Sequence, residues 1–374
     1  MSTSDPIPNG ASPAAAGPIA RALDRATSIG IDGVERGLAP DPLVRRGIRR
    51  LCAQRLARET AGPCEDRLQR KHAFIEAMDR APVAPVPEAA NEQHYELPAA
   101  FFEQVLGHRL KYSGCHFAGA NTGLDDAEDA ALAATCAHAE LNEDQRILEL
   151  GCGWGALTLW MAAAYRSSAI TAVSNSHSQR AHIEARAADL GLTNVRVITA
   201  DMNDFAPDNG PFDRVVSVEM FEHMRNWSEL LRRISGWLHP GGKLLFHVFC
   251  HREMAYEFQA GGTTDWMGRN FFTGGIMPAD DLALYFQQDL RAEAQWRWNG
   301  RHYGATANAW LANLDRGRAH LLPLLEETYG REAERWHQRW RMFFMACAEL
   351  FDFNRGEQWW VTHHRMIRPG DAGG

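Results

Sequence analysis

The chain has 374 residues, long enough for one large α/β domain with additions or for two domains. Its 45% hydrophobic and 23% charged residues suit a soluble globular protein, and a net charge of -8 argues against nucleic acid as a partner. Seven cysteines, odd in number and without CxxC spacing, suit a reducing compartment and supply no zinc framework.

In chain order, residues 1–40 are rich in Ala, Pro, Gly and Ser and are expected to be a disordered tail. Their opening lacks a basic n-region and a leucine-rich h-region, and no 18-residue apolar run follows, so the expected location is cytoplasmic. Between Leu43 and Lys71, nine basic residues face three acidic ones, and Leu43, Val44, Ile48, Leu51 and Leu56 recur at helical spacing. That helix either packs its apolar face on the main domain or is drawn to an anionic membrane surface. Ala81–Ala90 reads as a Pro-broken linker, closing a helical extension over 41–90.

From residue 91 to 374 the pattern is one domain. Strands are predicted at Arg146–Leu150, Ala169–Val173, Val195–Thr199, Arg214–Val218 and Lys243–Phe249, with helices at Ala156–Tyr165, His177–Leu190 and Trp227–Leu238. Such alternation implies an α/β fold with a doubly wound, mainly parallel, Rossmann-like sheet whose ligands bind at the carboxyl ends of the strands. After Phe249 the chain turns aromatic and helical and is expected to cover the substrate.

The run RILELGCGWGALTLW is strand, glycine turn, helix, with Gly151, Gly153 and Gly155 in the turn and Glu149 closing the strand. Dinucleotide enzymes share such turns, but here the spacing is GxGxG after an acid. Strand two ends in Ser174-Asn175-Ser176, where a nicotinamide cofactor would want a carboxylate for its ribose. Glu149 suits an ammonium group; Ser174, Asn175 and Gln179 suit a ribose; Asp201 suits an adenine amino group, with Met202 against the ring. Together they point to S-adenosylmethionine.

The segments YSGCHF (Tyr112–Phe117), LELGCGWGAL and SVEMFEHM (Ser217–Met224) resemble the cyclopropane-fatty-acid-synthase superfamily of S-adenosylmethionine-dependent methyltransferases, over roughly residues 43 to 368. FCHREMAYEF, DWMGRNFFTGGIMP, WNGRHYGATANAW, WRMFFMACAELF and GEQWWVTH resemble its coclaurine-type N-methyltransferase branch. The resemblance implies a class I methyltransferase fold. Tyr112 and Ser113 join the cofactor set. In the lipid-cyclopropanating branch a bicarbonate base is held by a Glu, a His, a Tyr, a Cys and an Ile backbone. Glu222, His247 and Tyr303 match, whereas Gly114 and Phe249 depart. In the N-methyltransferase branch the functional Glu-x-x-Glu-His pattern maps onto Glu219, Glu222 and His223.

An alkyl amine with a lysine-like pKa is neutral in only about one molecule in a thousand at pH 7, so a nearby base must take its proton. His223 and Glu222 are the expected acceptors, with Glu219 attracting the cation. The plainer alternatives are a helix cap or arginine partner for Glu219 and a packed ring for His223. Without HExxH spacing no metal site is expected. His363 and His364 read as surface residues. Trp266, Phe271, Phe272, Trp298, Tyr303 and Trp310 are candidates for an aromatic substrate pocket. The expected acceptor is a small aromatic or lipophilic amine; the alternative is methylation or cyclopropanation of an unsaturated fatty acyl chain, with transient membrane contact. A homodimer is left open.

Overall fold

A computed structural model describes residues 28–86, 97–119, 121–258 and 265–370. The tail expected over 1–40 therefore falls outside the described residues up to 27, while 28–35 are helical. Glu35 ties that helix down: it is 3% exposed and accepts from Trp266 Nε1 at 2.8 Å and from the Arg335 and Arg339 guanidinium groups.

The basic stretch forms two helices, Asp41–Glu59 and Cys64–Asp79. Their charges are largely engaged within the chain. Arg45 and Arg49 both reach Glu349, Arg67 pairs with Glu253, and Lys71 with Asp281. Those pairs tie both helices to later segments of the chain. Of the expected linker, Val83 and Ala84 are buried, and Asn203 holds Ala84 at both its N–H and its carbonyl, each at 2.9 Å. Residues 87–90 lie outside the described residues.

A seven-stranded sheet forms the centre, in the order β3-β2-β1-β4-β5-β9-β8. Its strands are β1 (Arg146–Leu150), β2 (Ala169–Ser174), β3 (Val195–Thr199), β4 (Phe212–Val218), β5 (Leu238–His251), β8 (Arg291–Trp298) and β9 (Trp359–Ile367). The small strands β6 (Tyr256–Glu257) and β7 (Ile276–Met277) pair separately. β1 to β5 are parallel, and β9 runs antiparallel to both β5 and β8. The central strands read as unbroken apolar runs because both faces are covered. Leu148, Leu150 and Val215 pack on the helix Trp227–Trp237, while Ile147 and Val216 pack on Leu124–His138 and Ala156–Ala164.

The five predicted strands and three helices all form: β1 and β3 have the predicted ends, and the other ends shift by at most two residues, except that β5 begins earlier, at Leu238. The aromatic, helical region expected after Phe249 is present, but it also holds strands that the sequence did not reveal. β8 and β9 extend the sheet there, and long helices at Gly300–Arg316, Arg318–Tyr329 and Ala333–Phe351 separate them. The surface reading of His363 and His364 is corrected: they lie in β9 at 0% and 4% exposure, opposite His247 and Phe246 of β5.

Candidate active site

The carboxyl ends of β1 to β4 open on a cleft of about 150 Å³. Tyr112, Ser113, Glu149, Gly151, Gly153, Ser174, Asn175, Gln179, Asp201 and Met202 all line it. Gly151 takes φ 77°, and a Cβ there would stand 2.8 Å from the Met220 side chain, so only glycine carries the turn. Gly155 does not line the cleft. At φ 85° it starts the helix Ala156–Ala164, and a Cβ there would meet Ile183 at 2.6 Å; it serves helix packing. The sequence missed Ala84, Val86, Lys111, Trp154, Met220, Met224 and Thr273 in the cleft wall. Trp154, Met220, Met224 and Thr273 lie inside the motifs quoted above and Lys111 abuts YSGCHF, whereas Ala84 and Val86 carried no signal.

Several polar atoms here await a ligand. Ser174 Oγ donates to Gln179 Oε1 at 2.6 Å, and Gln179 Nε2 is then buried without a partner, as is Trp154 Nε1. Buried polar groups are normally paired, so both fit a polar guest. Thr158 Oγ1 donates to Glu149 Oε2 at 2.5 Å, and burial pushes the Glu149 carboxyl up to about 8. A cationic group beside it would restore the carboxylate. These residues fit S-adenosylmethionine.

Beside that floor lies a second cluster. Glu219 follows β4 in the left-handed region at φ 49°, uncommon for a residue with a Cβ and typical of sites where the surroundings impose the conformation. Its carboxylate accepts from Tyr303 Oη at 2.7 Å and from the Gly114 N–H at 2.9 Å, and its Oε1 lies 3.1 Å from His247 Nε2. Burial raises the Glu219 pKa, opposed by the Lys111 charge and these hydrogen bonds. Glu219 is neither a helix cap nor an arginine partner among the described contacts. His223 lines the cleft too, and burial depresses its pKa to about 4.

Glu222 is not in the cleft wall. It is fully buried, accepts from the Phe249 N–H at 2.7 Å, and has its pKa driven well up by burial and by the Glu219 charge. Of the expected acceptors His223 and Glu222 and the cation-attracting Glu219, the structure brings His223 and Glu219 to the cleft wall and leaves Glu222 behind it. None of the six candidate aromatics lines the cleft. Trp266, Phe271, Trp298, Tyr303 and Trp310 belong to the apolar core behind it, and Phe272 packs 4.6 Å from the His223 ring.

The sequence profile of the mycolic acid cyclopropane synthetases matches residues 86–359. The chain belongs to this family. It is an S-adenosylmethionine-dependent methyltransferase. Within the family it is 34% identical over 336 residues to (S)-coclaurine N-methyltransferase of Thalictrum flavum subsp. glaucum, covering 88% of this chain and 92% of that one. The cyclopropane-fatty-acyl-phospholipid synthase of Escherichia coli (strain K12) is 26% identical over 281 residues, 75% of this chain and 68% of that one. A crystal structure of coclaurine N-methyltransferase bound to N-methylheliamine and SAH superposes with a TM-score of 0.85 at 32% identity, covering 92% of this chain and 100% of that one. No described helix of the enzyme is long and apolar enough to cross a membrane.

Proposed function

We propose that this enzyme transfers a methyl group to the nitrogen of a small aromatic or lipophilic amine. The observation that carries the reading is the Glu219 carboxylate, fixed by three donors at the wall of the cleft beside His223. The likeness to an N-methyltransferase over nearly its full length supports it.

Bound between Glu149, Gln179 and Asp201, S-adenosylmethionine supplies a sulfonium methyl that a nitrogen lone pair displaces in line. The chain must attract a cation, remove its proton and hold the nitrogen still. Glu219 attracts the ammonium, and its desolvation makes it a stronger proton acceptor than a surface carboxylate. Tyr303, His247 and the Gly114 N–H fix its oxygens, so that little reorganisation accompanies proton transfer. His223, kept neutral by burial, offers an imidazole nitrogen to orient the substrate N–H. Glu222, whose carboxyl pKa is driven well up by burial and the Glu219 charge, anchors the Phe249 backbone behind the site.

The same contacts speak against bicarbonate. Tyr303 and His247, which would hold that ion, are engaged with Glu219, and the Gly114 N–H joins them in place of a cysteine side chain. A protein carboxylate stands in for the free base.

The test is to incubate the enzyme with methyl-labelled S-adenosylmethionine, a pool of secondary and tertiary lipophilic amines, and vesicles of unsaturated phospholipid. Label in the amine fraction is expected. Label confined to the lipid fraction would overturn the proposal in favour of acyl-chain modification.

A further inference from the structure

Pro82 and Pro85 take two N–H donors out of residues 81–86 and fix φ at both positions, so this stretch joins neither a helix nor the sheet. Its remaining backbone groups must find partners elsewhere, and they find them on the segments that follow β3 and β4. Asn203 bonds Ala84 twice: Oδ1 accepts from its N–H and Nδ2 donates to its carbonyl, each at 2.9 Å. A carboxamide offers one acceptor and one donor side by side, which is what the backbone of a single residue asks for. The Arg225 N–H donates to the Val83 carbonyl at 2.7 Å, and Asn226 Nδ2 donates to the Asp79 and Ala81 carbonyls, both at 3.0 Å. At the far end Val86 rests on Gly274, where a Cβ would stand 2.3 Å from Val86 Cγ2. Arg225 also donates to the Gly274 carbonyl at 3.0 Å, so one arginine supports both the strap and the turn it meets.

Asn203 is itself held from the other side. Its N–H donates to Asp201 Oδ1 at 2.7 Å, and Arg233 donates to the Met202 and Asn203 carbonyls at 2.7 and 3.1 Å. Arg233 belongs to the helix Trp227–Trp237, so the turn 201–203 is fixed to the body of the fold. Ala84 and Val86 line the cofactor cleft from the strap, and Asp201 and Met202 line it from the turn. Asn203 is not among the cleft-lining residues and joins the two walls from outside. Ala84 buries one methyl group, so two hydrogen bonds of ordinary strength outweigh apolar burial in holding this point of the strap.

We propose that Asn203 is a positioning residue for the cofactor, pinning residues 81–86 over the adenosine end of the cleft against the turn that carries Asp201 and Met202. This rests on the cofactor placement given above and is independent of the acceptor the enzyme uses. Asn203 makes no bond to the cofactor. Its two hydrogen bonds keep the strap in the cleft wall, so that bound cofactor leaves only after they break. The latch holds the cofactor equally before and during methyl transfer, so it acts on affinity and leaves the chemical step alone.

The test uses Asn203→Ala, which keeps the N–H that serves Asp201, and Gly274→Ala, which unseats Val86 without touching Asn203. The two act at opposite ends of the strap, so a folding defect in one leaves the other to decide. Calorimetry and stopped-flow binding need no acceptor and are run with S-adenosylhomocysteine and with 5′-methylthioadenosine, which lacks the amino-acid end. Each variant is expected to bind both ligands about tenfold more weakly through faster release, the scale of one or two hydrogen bonds. Hydrogen exchange at the Ala84 N–H should quicken in Asn203→Ala and lose the protection that bound ligand gives it in the wild type. With the acceptor that labelling identifies, KM for S-adenosylmethionine should rise about tenfold while kcat at saturating cofactor stays within about twofold. Faster exchange with unchanged affinity would make the strap a structural trim and overturn the proposal. So would a loss of kcat at saturating cofactor with KM unchanged, which places Asn203 in the chemical step. Weaker binding of S-adenosylhomocysteine alone, with 5′-methylthioadenosine unaffected, would put the strap at the amino-acid end, and the cofactor placement would fail together with the proposal.

Discussion

Glu219 and Glu222 are three residues apart and differ in what holds their oxygens. Glu219 keeps three donors on its oxygens, whereas Glu222 has one backbone donor and a buried oxygen without a partner. Glu219→Gln is expected to lower kcat by about 10²-fold or more, the scale of general-base assistance. Glu222→Gln alters a side chain that lies outside the cleft wall and should cost less than about tenfold in kcat on the same assay. Equal losses would return Glu222 to the role of proton acceptor. Tyr303→Phe removes one hydrogen bond to the carboxylate, a contact worth about 1.5–3 kcal/mol when charged, and kcat should drop by roughly one order of magnitude with little change in KM. Glu149 makes a separate prediction about the cofactor. Burial holds its carboxyl near 8, so without a cation beside it the group is protonated at neutral pH. Because the folded pKa is raised, the stability linked to that proton is complete below the ordinary value of 4.5 and is lost as pH rises through about 8. Cofactor binding runs the other way. The ammonium group needs the carboxylate, so binding releases a proton, and affinity should rise by up to about tenfold per pH unit between about 6 and 8. Calorimetry in two buffers of different ionisation heat reads that proton, and Glu149→Gln should abolish it.

At the scale of elements, what the sequence revealed depended on how far each strand is buried. β1, β2 and β4 are covered on both faces and show largely as apolar runs, and the glycine turn after β1 follows from its spacing. β9, WWVTHHRMI, is also buried, but two adjacent histidines and a threonine break the apolar signal, and only the pairing with β5 and β8 explains why they are inside. β8 alternates charged and aromatic residues at an edge and was equally hidden. The site divided in the same way. The cofactor floor lies on local motifs and was legible, whereas the anchoring of Glu219 joins Gly114, His247 and Tyr303 from three distant segments. No local pattern could separate Glu219 from Glu222, because both stand in one turn and only tertiary burial tells them apart. Gly155 shows the cost of the turn itself. Gly155→Ala would press a Cβ against Ile183 at 2.6 Å in a left-handed backbone, and thermal unfolding should show a loss of about 1–3 kcal/mol.

The molecule as a whole carries a net charge of -8, and on the proposed reading both reactants are cations. Opposite charge between a protein and its ligands raises the local ligand concentration and speeds encounter, and salt weakens that attraction once the screening length falls to about 10 Å. The buried contacts that act after binding, such as Tyr303 with Glu219, are shielded from bulk ions and should respond far less. Raising ionic strength from about 10 mM to about 150 mM should therefore lower kcat/KM severalfold for an amine that is protonated at the assay pH, while kcat stays nearly constant. An amine made neutral at the assay pH by electron-withdrawing substituents separates this field effect from a general action of salt on the fold. With saturating cofactor its kcat/KM should barely move, since only one partner in the encounter then carries charge. Equal falls for the two amines would mean that salt acts on the protein rather than on the approach of the substrate. A fall in kcat for the protonated amine alone would instead place the salt-sensitive step after binding, at the transfer of its proton.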